Sequence, residues 1–222
     1  KCWPLSVKSM SKTKMKSSGT PFYRFARCLL SIFSFLFYPC KLINPEQANL
    51  KKPFILICNH QSMMDPVLLG VKFPQYEIHF IGKREITKFL PLKWIVERLH
   101  MIAVSRHMSD LAAMRAAGAV LKSGEVLGIF PEGRRSCGSP MEQMESGVSL
   151  LALRHKTPLL PVYITSRPRP FHRVSMVIAP PILVDSLARD GIDKSASDQL
   201  SEQIKQVYRD LESKNIKKTS CA

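Results

Sequence analysis

From residue 46 onward, apolar positions alternate between two spacings along the 222-residue chain. Short continuous apolar runs bounded by polar or turn residues predict strands at 54–58, 78–81, 101–104, 126–130, 159–164 and 174–179. Between them, apolar residues recur at helical spacing over 88–98, 109–122, 146–155 and 196–211. The stretch 109–122 has the fullest signature. Ser109 stands at the N-cap, Asp110 in the first turn, Leu111, Met114 and Leu121 along one line, and Gly124 just past the end. Alternating strands and helices predict an α/β fold, a mixed, mostly parallel sheet flanked by helices, over 46–222. Ligands of such sheets gather beyond the carboxyl ends of the strands.

The N-terminal part breaks this rhythm. Residues 1–20 are rich in Lys and Ser and read as a flexible basic arm. Residues 21–45 hold the run Cys28-Leu29-Leu30-Ser31-Ile32-Phe33-Ser34-Phe35-Leu36-Phe37, preceded by Arg24 and Arg27. Its apolar part is shorter than the roughly 20 residues that span a bilayer, and no small-x-small cleavage site follows it. A core helix, a cleaved or spanning segment and a helix in the membrane interface all stay open. The basic flank favours the interface, because each basic residue near an anionic surface adds about 1 kcal/mol. Composition supports an acidic partner more broadly. The net charge is +16, and residues 1–50 carry eight Lys and Arg against Glu46 alone. Anionic lipid, phosphorylated ligands and nucleic acid would all answer to that charge, but no zinc-finger or RNA-recognition signature supports nucleic acid. Six cysteines form no CxxC pair and no zinc spacing, so they read as reduced thiols with no metal site.

Two runs at predicted strand ends carry candidate chemistry. After 54–58 comes Asn59-His60-Gln61-Ser62-Met63-Met64-Asp65, followed by Pro66. Pro66 suits the first turn of a helix, which makes Asp65 its expected N-cap. A loop-to-helix turn would let Asp65 also accept from one imidazole nitrogen, leaving the other to take a proton from a hydroxyl. After 126–130 comes Pro131-Glu132-Gly133-Arg134-Arg135-Ser136. Gly133 permits close backbone approach, and an arginine there would grip phosphate through paired hydrogen bonds. A G-x-S-x-G elbow, which a serine hydrolase would use, is missing.

These runs resemble the N-H-x-S-x-x-D and F-P-E-G-T-R-S blocks of the glycerolipid acyltransferases. Between them, Gly82-Lys83-Arg84-Glu85, Pro91 and Val104-Ser105-Arg106 are similar to the family's intermediate block. Pro158-Leu159-Leu160-Pro161-Val162 resembles its fourth. All four occur in family order over about residues 50–165, and size places the chain nearest the short bacterial PlsC type. The resemblance implies a glycerol-3-phosphate acyltransferase-like fold and a membrane-associated enzyme on the cytoplasmic face. It implies His60 as general base on the sn-2 hydroxyl of lysophosphatidic acid, and Asp65 as the residue that orients it. The donor would be acyl-CoA or acyl-carrier protein, with no other cofactor and no metal. Arg106 and Arg135 would hold the acceptor phosphate, Glu132 and Gly133 would shape that pocket, and Lys83 is a further candidate. Pro161 and Val162 would be mainly structural, near the acyl-donor side. Glycerol-3-phosphate, another lysophospholipid and water are the rival acceptors. Arg134, Lys93 and Glu145 depart from the family's usual threonine, glycine and lysine.

Overall fold

The computed structural model describes residues 21–83, 102–104, 110–135, 140–187 and 193–220. Its strands are β1 (Cys40–Ile43), β2 (Phe54–Cys58), β3 (Ile78–Lys83), β4 (Ile102–Val104), β5 (Val126–Ile129), β6 (Leu159–Ile164) and β7 (Val174–Ile178). Its helices are α1 (Pro21–Phe37), α2 (Asp65–Lys72), α3 (Asp110–Lys122), α4 (Gly147–His155) and α5 (Lys194–Ser220). The flexible arm at 1–20 and the helix expected at 88–98 lie outside the described residues, as does Ser109.

Every residue of β2 and β6 is buried. Successive side chains of a strand point to opposite faces, so both faces of these strands are covered. Ile55 and Ile57 join Leu127, Leu159 and Tyr163 in one core with Leu121 of α3, Leu151 of α4 and Ile204 of α5. Phe54, Leu56 and Cys58 join Val126, Leu160 and Val162 in a second core with Leu68 and Leu69 of α2. Helix α1 packs outside α2. The continuous apolar runs in the sequence are therefore strands sandwiched between helix layers.

The strands form one seven-stranded sheet in the order β1-β7-β6-β2-β5-β3-β4. All neighbours are parallel except β6 and β7. This is the mixed, mostly parallel sheet that the sequence predicts, with β1 and β7 running against the other five. Pro161 sits inside β6, where a missing N–H is normally costly. Its carbonyl accepts from Ala179 on the β7 side, so its missing N–H faces that side too, beyond the last ladder pair Val162↔Ile178.

Two boundaries move. Strand β1 pairs with β7 from Cys40↔Val174 to Ile43↔Val177, so the sheet domain takes in residues 40–43, which the sequence assigns to the membrane-interface segment. Helix α5 runs to Ser220, nine residues past the expected end at 211.

Candidate active site

His60 and Asp65 meet at the carboxyl end of β2. The ring Nδ1 of His60 lies 2.8 Å from Asp65 Oδ2. The same oxygen accepts the backbone N–H groups of Gln61 and Ser62, both at 2.7 Å. Asp65 is not the N-cap that the sequence suggests: it is the first residue of α2, after Met64. Its carboxylate turns back onto the preceding loop, because three donors converge there within five residues. Its other oxygen, Oδ1, is buried with no hydrogen-bond partner among the described residues. A carboxylate only accepts, so Nδ1 carries the hydrogen and Nε2 keeps the lone pair of the neutral ring. The ring of His60 stacks on Phe130 at 4.3 Å between centroids, and Phe130 stacks on Phe80 at 5.9 Å. The side chain of His60 keeps 17% of its surface exposed while that of Asp65 keeps none. The site thus has an oriented, part-exposed base whose Nε2 makes no hydrogen bond to the described residues.

The loop before the base is tied on both flanks. The side chain of Asn59 accepts from Ile164 N–H at 2.8 Å and donates to Ile164 O at 3.0 Å, which fastens it to the end of β6. Glu132 is buried; Oε2 accepts His60 N–H at 3.1 Å and Oε1 accepts Met141 N–H at 2.9 Å. Glu132 therefore ties the loop after β2 to the two ends of the β5–α4 connection, through the backbone N–H groups of His60 and Met141. Gly133 has φ 62°, a left-handed value, and a Cβ there would come within 3.1 Å of the Glu145 carboxylate. Arg134 and Arg135 are both exposed beyond this turn. Arg134 donates to the side-chain oxygen of Gln143, whereas Arg135 makes no hydrogen bond or ion pair to the described residues. Burial, followed by the charges of Asp65 and Glu132, pushes the Cys58 thiol well above its ordinary 9.0 and keeps it neutral. Among the described residues no three or more His, Cys, Asp or Glu side chains cluster as a metal site would need.

A family model named Acyltransferase matches residues 40–165, more than half of the chain. The chain belongs to the acyltransferase family. This acyltransferase is 30% identical over 142 residues to the 1-acyl-sn-glycerol-3-phosphate acyltransferase of Bacillus subtilis, covering 63% of this chain and 69% of that protein. It is 27% identical over 200 residues to the protein of the same name in Saccharomyces cerevisiae, covering 82% of this chain and 65% of that one. In fold it resembles the crystal structure of the 1-acyl-sn-glycerophosphate (LPA) acyltransferase PlsC from Thermotoga maritima. The TM-score is 0.64 at 23% identity, over 86% of this chain and 79% of that one.

Of the site residues expected from the acyltransferase motifs, the structure brings together His60, Asp65, Glu132 and Gly133, with Arg135 just beyond the turn. Lys83 ends β3, and its side chain lies outside what is described, as does Arg106. Pro161 and Val162 are buried in β6, level with Ile57 and Cys58. Sequence reasoning passes over Asn59 as a site residue and Phe130 as the platform under the base. Asn59 has a readable signal, a polar amide directly after a wholly buried strand. Phe130 has none, since it continues an apolar run.

Proposed function

We propose that this acyltransferase moves an acyl chain from acyl-CoA or acyl-carrier protein to the sn-2 hydroxyl of lysophosphatidic acid, giving phosphatidic acid for phospholipid synthesis. The pairing of His60 with Asp65 at 2.8 Å, with Nε2 unbonded among the described residues, carries this reading. Nε2 takes the proton of the sn-2 hydroxyl as its oxygen attacks the thioester carbonyl. The tetrahedral intermediate collapses, the C–S bond breaks, and the thiolate leaves with the proton that His60 returns. Asp65 balances the imidazolium while it lasts. A well-placed base accounts for about 100- to 10,000-fold of rate. Arg135, exposed beyond the Gly133 turn, would grip the acceptor phosphate. Arg106 and Lys83 are its candidate helpers.

Relatives named for the same acceptor in a bacterium and a yeast support this choice of substrate. The acceptor's acyl chain costs about 0.8 kcal/mol per methylene to pull out of lipid, so docking at the bilayer spares most of that cost. No helix among the described residues is long and apolar enough to cross a membrane. Helix α1 instead exposes Phe25, Leu29, Ile32, Phe33, Phe35 and Leu36, the surface of a helix lying in the interface on the cytoplasmic face.

A labelled acyl-CoA assay against lysophosphatidic acid, other lysophospholipids and glycerol-3-phosphate, with the product identified, tests the reaction. Turnover should require lysophosphatidic acid and vanish in His60→Ala, while Arg135→Ala should raise KM for the acceptor about 10- to 100-fold and that for the donor little. Preference for another acceptor, or residual turnover of more than a few per cent in His60→Ala, would overturn the reading.

A further inference from the structure

We propose that the loop joining β6 to β7, residues 165–173, is a second lipid-contacting element, which together with the C-terminal end of α1 seats this end of the sheet on an anionic bilayer. The inference rests on the interfacial reading of α1 for its choice of surface.

The sheet topology places the loop. Strand β6 ends at Ile164, whose backbone is bonded to Asn59, directly before His60. Strand β7 is antiparallel to β6, with Ile164↔Met176 in register, so the loop between them projects from the end that carries His60. Strand β1 is parallel to β7, with Cys40↔Val174, so the chain enters β1 at that same end, straight from α1. Contacts close the arrangement: Phe171 N–H donates to Phe37 O at 2.6 Å, Val174 N–H donates to Pro39 O at 2.9 Å, and the rings of Phe37 and Phe171 lie 5.5 Å apart.

The chemistry of the loop fits a charged lipid surface. It reads Thr165-Ser166-Arg167-Pro168-Arg169-Pro170-Phe171-His172-Arg173 and holds no acidic residue. Arg167, Arg169 and Arg173 are all exposed. Phe171 is 72% exposed and held at φ 62°, a conformation that a bulky side chain adopts only when its surroundings impose it. Hydrogen bonds from His172 N–H to Arg169 O and from His172 Nδ1 to Pro170 O fix the turn. The result is an exposed aromatic tip with three exposed arginines within four residues of it in sequence, beside the bare aromatic end of α1, where Phe35 is 81% exposed. Nucleic acid would satisfy the arginines but offers no apolar phase for Phe171, Phe35 and Leu36. A bilayer with anionic headgroups satisfies both.

Co-sedimentation of the full chain with vesicles tests the proposal, using phosphatidylcholine alone and an equal mixture with phosphatidylglycerol. Arg167→Gln, Arg169→Gln and Arg173→Gln combined should weaken partitioning to the anionic vesicles on the order of 100-fold, at about five-fold per arginine, and barely change it on phosphatidylcholine. Phe171→Ser should lose about ten-fold on both. Turnover of a short-chain, water-soluble lysophosphatidic acid should be unchanged in all of them. Unchanged partitioning in both loop variants, with Phe35→Ser still releasing the protein, would overturn the loop and leave α1 standing. Loss of binding to a DNA duplex with vesicle binding intact would overturn it in favour of nucleic acid. Loop-dependent vesicle binding by a chain inactive on every acceptor would sink the acyltransfer reading and keep this one.

Discussion

Asp65 and Glu132 are two buried carboxylates bonded to the same histidine residue, and their hydrogen bonds set them apart. Asp65 gathers three donors on one oxygen, one of them the ring of His60. Glu132 divides its two oxygens between the backbone N–H groups of His60 and Met141. Asp65→Asn keeps an acceptor beside the ring but removes the charge that balances a protonated imidazole. Steady-state kinetics should show kcat down on the order of 1000-fold with both KM values little changed. Glu132→Gln has a different consequence, because an amide has one oxygen for two N–H groups. One buried donor loses its acceptor, at about 1–3 kcal/mol, so the urea midpoint should fall, and kcat with it as the backbone of His60 loosens. Sequence carries the first pair, since His60 and Asp65 belong to one contiguous run. It reads Glu132 only as a shaper of the phosphate pocket and does not show its hold on the His60 backbone, because that N–H comes near only once β2 and β5 lie side by side.

The strands of the core are legible as elements because burial on both faces leaves unbroken apolar runs such as Phe54-Ile55-Leu56-Ile57-Cys58. Strand β1 is not, since Cys40-Lys41-Leu42-Ile43 is short, carries an exposed lysine and makes sense only against β7. The last turns of α5 are polar, so their helix has no apolar period to announce it. Gly128 shows how an element shapes the site at a distance. It pairs with Phe80 across β5 and β3, and a Cβ there would meet the Phe80 ring at 2.5 Å and Ile78 at 2.7 Å. Phe80 stacks on Phe130, which stacks on His60. Gly128→Ala should therefore cost about 1–3 kcal/mol through overpacking, read as a lower urea midpoint. It should also lower kcat without touching a reacting group. A variant with wild-type kcat would show that the ring stack does not fix His60.

In the molecule as a whole, the carboxyl end of the parallel sheet carries the site, and α5 fastens that end through Tyr208. The Tyr208 hydroxyl lies 2.8 Å from Ile57 O and 3.1 Å from Val162 O, joining the helix to both central strands just before Asn59 and His60. Sequence marks Tyr208 only as one apolar position after Leu200 and Ile204, because its partners are carbonyls that any residue supplies. Burial first, then Cys58 once it ionises at high pH and the charge of Glu132, push its hydroxyl well above the ordinary 10.0, against the opposing bond to Val162. A raised folded value means that the unfolded chain gives up the proton first. The stability that neutral Tyr208 contributes is therefore whole below pH 10.0 and drains away as pH climbs through the folded value. The overall charge works the other way. At +16 and a pI near 9.8, raising pH toward neutrality of the whole chain relieves self-repulsion. The urea midpoint should thus rise toward pH 9.8 and fall above pH 10.0. Tyr208→Phe should start about 1 kcal/mol less stable and lose less on the alkaline side, so that the two curves converge. Curves that stay parallel across that window would place the alkaline loss in groups other than the hydroxyl that holds the helix to the site.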